Sequence, residues 1–253
     1  MIVGTRGPWI LVGIMAVAVV ALLAALLLRG DDGPGADELL AAAPGAVDAQ
    51  GTAGLRMTVD LGGDALDVGV EATGGVDFES GAGHLLLTLL GQQIELRTDG
   101  RTLFVLPDGE DQWLATKADE EGALDALGGT GPNQAVELVD LLRGDLDDVE
   151  DLGEVDIGGE PTRHLRFTVA AEGEVVEALA GDGEDVPIEV WIDERNLPVR
   201  QRIEGNVQGV DVVVTIDLTD WGRPLAVTIP PEGEVRDVEP EELAQIFGAP
   251  VPG

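Results

Sequence analysis

The sequence predicts an α+β protein, a large curved antiparallel sheet with helices against one face, preceded by one transmembrane helix. Three observations carry this expectation. Trp9 to Leu28 is an uncharged apolar run. From Thr52 onward, apolar and polar residues alternate with a period of two over several stretches, the mark of strands with one buried face. Helical patterns cluster between two such runs instead of alternating with single strands, which excludes a parallel doubly wound sheet.

Trp9 to Leu28 (WILVGIMAVAVVALLAALLL) reaches about 30 Å as a helix at 1.5 Å per residue, the thickness of a bilayer's hydrocarbon core. Its exit, Leu26-Leu27-Leu28-Arg29-Gly30-Asp31-Asp32, has no small-residue cleavage site. The triplet Ala41-Ala42-Ala43 lies well beyond the run and precedes Pro44, so an uncleaved anchor is expected rather than a signal peptide. Arg6 and the amino terminus stand against Arg29, which narrowly puts the N-terminus in the cytoplasm and the rest outside the cell membrane. The expected organisation is a tail 1–8, the anchor 9–28, a linker 29–35, one domain 36–238 and a C-terminal tail 239–253.

The chain carries 49 acidic and 14 basic residues, a net charge of -35, with Lys117 as its only lysine. Nucleic acid and anionic lipid surfaces would repel it and are excluded as main partners. Solubility accounts for the charge, and adaptation to high salt is the sharper alternative. Cysteine is absent, which excludes disulfides, thiolate metal sites, a cysteine nucleophile and an acylated lipoprotein anchor.

Along the chain, Ala36 to Val47 reads as an amphipathic helix broken near Pro44. Leu55, Met57, Val59 and Leu61 alternate with Arg56, Thr58 and Asp60. After Gly62-Gly63-Asp64, Leu66, Val68 and Val70 continue the pattern, and Val76 and Phe78 follow Gly74-Gly75, so this is a meander. Strands follow at His84–Leu90, Gln93–Thr98 and Thr102–Leu106, with Asp99-Gly100 as a hairpin turn, and another lies around Trp113-Leu114. The His84 strand is apolar on both sides, so something is expected to cover its second face. Ala118–Leu127 and Asn133–Arg143 have helical spacing. The second β run comprises Val149–Ile157, Thr162–Val169, Ile188–Asp193, Pro198–Glu204, Val210–Leu218 and Ala226–Ile229. Glu172–Leu179 and Pro240–Phe247 read as helices.

Catalytic signals are poor. Ser80, the only serine, sits in Phe78-Glu79-Ser80-Gly81-Ala82, which lacks the first glycine of a nucleophile elbow. His84 lies nearby and His164 sits on a strand, and both read as structural. Two histidines without cysteine do not make a zinc site. The acidic run Asp145 to Asp156 departs from EF-hand spacing and reads as a solvated loop. Gly128-Gly129-Thr130-Gly131 has no following lysine for a phosphate loop. No enzyme, cofactor or metal site is expected.

Three segments resemble a known family. Pro187 to Arg200 (PIEVWIDERNLPVR), Gly158 to Leu165 (GGEPTRHL), and Asp220-Trp221-Gly222-Arg223-Pro224 followed by Ile229-Pro230-Pro231 are similar, in that order, to motifs of the LolA-like fold and of the actinobacterial LppX/LprG lipoproteins. The resemblance runs from about Ala36 to Val238. It implies a half-open β-barrel whose concave face, lidded by helices, holds acyl chains of lipids, glycolipids or lipoproteins in the cell envelope. The chain departs from that family in lacking the lipobox cysteine, in whose place it has the apolar helix.

An acyl chain gains roughly 0.8 kcal/mol per CH₂ removed from water, so such a pocket needs mainly apolar area. The candidate lining is Leu55, Met57, Val59, Val68, Val70, Val76, Phe78, Leu85, Leu87, Ile94, Leu96, Leu103 and Val105. A plain core beneath the helices explains the same residues. The alternative function is a sensory or protein-interaction domain on this scaffold, with an envelope protein as partner.

Overall fold

The computed structural model describes residues 34–63, 66–89, 91–117, 136, 139–144, 146–169, 186–207, 210–240 and 242–243. The apolar stretch Trp9–Leu28 and the helices expected over Ala118–Leu127 and Glu172–Leu179 lie outside them. Among the described residues no helix is long and apolar enough to cross a membrane. Ala36–Gly253 forms one compact unit, separate from Met1–Gly35.

Helix α1 spans Ala36–Gln50 and opens with Asp37 and Glu38, whose charges suit a helix N-terminus. It buries Leu39, Leu40, Ala43, Pro44 and Val47. The expected break near Pro44 does not occur. A proline forgoes the hydrogen bond to the carbonyl four residues earlier, yet the helix continues because Pro44 is itself part of the buried stripe. The helix ends at Gly51, whose φ of 74° suits a glycine and whose N–H donates to the Val47 carbonyl at 2.8 Å.

The strands are β1 (Thr52–Gly63), β2 (Leu66–Asp77), β3 (Ala82–Leu89), β4 (Gln92–Asp99), β5 (Thr102–Leu106), β6 (Trp113–Lys117), β7 (Asp147–Ile157), β8 (Glu160–Val169), β9 (Val186–Asp193), β10 (Pro198–Val207), β11 (Val210–Thr219) and β12 (Val235–Asp237). They form one open curved sheet in the order β12-β6-β5-β4-β3-β2-β1-β11-β10-β9-β8-β7. Two meanders therefore meet at β1 and β11. The chain passes from one edge to the other between Lys117 and Asp147. In that connection Val139 and Leu142 are buried in the core with α1, and Arg143 donates to Asp48 of α1 at 2.6 Å and to Asp140 at 2.9 Å.

The expected strand at Ala226–Ile229 does not form. After β11 the chain instead runs as an extended strap across the face opposite α1, over β1 to β4. Gly222 N–H donates to the Thr52 carbonyl at 2.9 Å and the Thr52 hydroxyl to the Arg223 carbonyl at 2.7 Å. Arg97 on β4 donates to the Thr228 carbonyl at 2.6 Å. The strap then delivers β12, which pairs in parallel with β6. Thus the second face of β3 is covered in part: His84 lies beneath the strap near Leu225, whereas Leu86 stays 40% exposed.

Gly74 and Gly75 are tightly hemmed in, Gly74 by the backbone of β3 and Gly75 by the strap. A Cβ at Gly74 would overlap the carbonyl of His84, and one at Gly75 would stand 2.6 Å from Leu225 Cδ1. Neither position accepts a side chain without moving backbone or strap. At the far edge, β7 exposes most of its acidic residues, which discourages pairing with another chain.

Gly74→Ala should cost about 1–3 kcal/mol, as overpacking does. Gly69→Ala on the same strand, where the nearest atom is Asp60 Oδ1 at 3.7 Å, should shift stability by less than about 1 kcal/mol. Urea midpoints of the two variants check this.

Candidate functional site: the apolar face of the sheet

Strand pairing turns the period-two pattern into transverse rows on the face that α1 covers. One row runs Ile94–Leu87–Ala72–Met57–Ile216–Gln201–Val190–Leu165 across β4, β3, β2, β1, β11, β10, β9 and β8. The next runs Val70–Val59–Val214–Ile203–Ile188–Phe167. A third runs Val105–Leu96–Leu85–Gly74–Leu55–Leu218.

The candidate residues fall on this single face. Leu55, Met57, Val76, Leu85, Leu87, Ile94, Leu96, Leu103 and Val105 are buried, with α1, in one hydrophobic cluster, and Val59, Val70 and Phe78 are half-buried against it. The side chain of Val68 lies outside what is described. Leu85, Leu96 and Val105 are fully closed off, so in this conformation they touch protein and not an open volume. At one end, Phe78 stacks on Trp221 with ring centroids 5.5 Å apart. Towards the β1–β2 hairpin, Val59 and Val70 leave the face less tightly shut.

Sequence reading found the first half of the face and missed the second. Leu165, Phe167, Ile188, Val190, Ile203, Val212, Val214, Ile216 and Leu218 are equally buried in the same cluster. The alternation in β8 to β11 could have identified them. The strand pairing that merges both halves into one surface is not visible in either half alone.

The opposite face is ionic. Arg56 pairs with Glu71 at 2.5 Å, Arg200 with Asp217 at 2.6 Å, and Arg166 with Glu189 at 2.5 Å. His164 stacks on Trp191 at 4.1 Å and its Nε2 lies 3.1 Å from Glu189 Oε2, so its ring is held in a packed, structural position. Burial would raise the Glu189 carboxyl, but the hydrogen bonds from Arg166 and His164 and their charge outweigh it and hold it below the usual range. A hydrogen bond from Arg163 likewise lowers Asp151. The acidic run, expected as a solvated loop, instead lies largely in the edge strand β7 with its carboxylates exposed. The Arg200 guanidinium is raised by its hydrogen bond to Asp217.

A recess of about 850 Å³ opens where Gly54, Arg56, Thr73, Arg200 and Asp217 meet the turns around Gly158, Asp193 and Asp220. Its lining mixes charged side chains with Ile157, Pro161, Val199 and Trp221, and the charges suit an acyl chain poorly. The three resemblance motifs supply those turns, and their residues do turn-making work. Asp193 Oδ1 accepts the N–H groups of Arg195 and Leu197 at 2.8 and 2.9 Å. Gly158 and Gly159 have φ of 63° and 92°. Ser80 is also a turn residue, its hydroxyl accepting the Ala82 N–H at 3.2 Å while its own N–H donates to Asp77.

Together, the two meanders in one open curved sheet, the apolar face under helices and the closing strap define a LolA-like half-barrel of the LppX/LprG type. The solved structure of lipoprotein LppX from Mycobacterium tuberculosis is similar with a TM-score of 0.53 and 18% identity, over 75% of this chain and 98% of that one. LprF from Mycobacterium bovis is similar with a TM-score of 0.53 and 17% identity, over 79% and 99%. No protein-family model and no curated protein matches the chain. At these identities the likeness establishes the fold.

Glu189, lowered in the folded state, adds stability that is full above its unfolded pKa and is lost as pH falls through the lower folded value. Thermal unfolding from pH 6 to pH 2.5 should therefore show an acid loss below the usual carboxylate range. Glu189→Gln should flatten part of that slope.

Proposed function

We propose that this chain is a non-enzymatic lipid-binding protein of the cell envelope, tethered by Trp9–Leu28 with its folded unit outside the cytoplasm. It takes acyl chains of lipids or glycolipids between the sheet and its helical cover. The observation that carries this reading is the broad apolar face, eight strands wide, interrupted at Gln201 and half-buried at Val59 and Val70. A globular core can be built from far fewer strands, and a face this broad on an open sheet matches the demands of a long flexible chain, for which each buried CH₂ contributes roughly 0.8 kcal/mol.

The closed state of Leu85, Leu96 and Val105 means that a ligand enters by displacing cover, not by filling a standing hole. The tie between Arg143 and Asp48 is exposed and adds little to holding the covering segment. Displacing it chiefly costs the burial of Val139 and Leu142 against the core. The charged recess on the other face takes no part. A permanent membrane helix restricts the protein to extracting, presenting or sensing lipid beside its own membrane.

Native mass spectrometry with organic extraction, on the full chain purified from membranes in detergent, tests the reading. A stoichiometric lipid that survives detergent exchange is expected, and Val70→Glu, which puts a charge at the half-buried end, should reduce its occupancy at least tenfold while the protein stays folded. A clean apo mass, with no uptake when lipids are offered, would overturn the reading in favour of a protein-interaction domain.

A further inference from the structure

Gln201 breaks the apolar row that crosses the sheet. It lies on β10 with Ile216 of β11 on one side and Val190 of β9 on the other, and along its own strand Ile203 points to the same face. Those three neighbours are at most 1% exposed, and Gln201 itself is 2% exposed. Among the described residues its Oε1 has no hydrogen-bond partner. A primary amide closed off among aliphatic side chains loses its hydration, and an unmatched acceptor there is costly.

Packing does not ask for it. Leucine or methionine would fill the same volume and continue the row from Ile94 to Leu165, and the strand alternation assigns the position to an apolar side chain. The other polar residues in the core differ in setting: the Thr98 hydroxyl accepts the Gly100 N–H at 2.9 Å and the Thr162 hydroxyl donates to the Val155 carbonyl at 2.5 Å. Thr116, without a partner among the described residues, lies on β6 near the edge of the sheet, away from the centre of the face. Gln201 is thus an unmatched acceptor at the middle of the surface assigned above to acyl chains.

We propose that Gln201 is a specificity-determining residue for the lipid, its Oε1 accepting a hydrogen bond from an O–H or amide N–H close to the root of the acyl chain. This rests on the acyl-chain reading given above. It narrows the ligand class to acyl lipids with such a donor, among them partially acylated glycerols, against fully esterified chains that have none. Discrimination follows from asymmetry: a lipid without the donor leaves Oε1 unpaired at closure, whereas one with it repairs the site.

The test measures binding of 1-monooleoylglycerol and of methyl oleate to the full chain in detergent, for wild type, Gln201→Leu and Gln201→Met. The two probes share the chain and differ in hydroxyl donors. Wild type should prefer monooleoylglycerol by about tenfold, which corresponds to about 1.4 kcal/mol. Both variants should bind methyl oleate at least as well as wild type and lose most of that preference, and the comparison removes any preference that arises elsewhere on the headgroup. Two variants keep the test decisive should one fail to fold. If both probes bind and the preference is the same in wild type and variants, the assignment of Gln201 is overturned while the acyl-chain reading stands. If neither probe binds wild type, the acyl-chain reading falls and this assignment with it.

Discussion

The structure depends on the pairing of β1 with β11. Each meander alone would present a long edge strand with unpaired N–H and C=O groups, a hazard for aggregation. Joining them from Gly54 opposite Thr219 to Gly62 opposite Asp211 removes both edges at once and aligns two apolar faces into one. Because side chains alternate along a strand, a slip of one residue would turn one meander's apolar set to the charged side. The register is specified on both faces. Met57 opposes Ile216 on one, while Arg56 opposes Asp217 on the other, and Arg200 binds the same Asp217 at 2.6 Å.

That ionic face also shows how a chain of net charge -35 tolerates a sheet. Arg56, Arg166, Arg200 and Arg202 are set on the strands, each beside a carboxylate, so repulsion across neighbouring strands is neutralised locally. Excess acid collects instead on the edge strand β7 and on turns, where water screens it. Glu189 is mostly buried, and it is held there by Arg166 and His164. Pairs of this kind contribute less to stability than to fixing which strands lie beside which.

The strap after β11 closes the architecture. It covers Gly75 with Leu225, receives Arg97 at Thr228 and returns the chain to β6. Arg97 also lies over the Trp113 ring at 4.5 Å, so the end of the first meander and the strap are fastened at one place. Trp221 at the strap's start stacks on Phe78 and shuts one end of the apolar face. The same segment thereby braces the charged side and caps one end of the apolar side.

Local alternation determined much of this in advance. Leu55-Met57-Val59, Leu85-Leu87, Ile94-Leu96 and Leu103-Val105 announce both strand and phase, because a pleated strand sends successive side chains to opposite faces whatever it packs against. Gln201 shares the phase of Ile203, two residues further along β10, and sequence reading passed over it. The three motif segments identified the fold because turns need particular residues, such as Asp193 and the Gly158-Gly159 pair. Other features were settled only by tertiary structure: the continuation of α1 through Pro44, the replacement of a strand at Ala226–Ile229 by a strap, and the meeting of β1 with β11. Each depends on what a distant part of the chain supplies. Burial against the sheet compensates Pro44, the backbone of β1 and the Arg97 side chain hold the strap, and a partner more than a hundred residues away completes β1. A pattern of period two records which side chains share a face, but the surface that face will meet is fixed by contacts the local sequence does not contain.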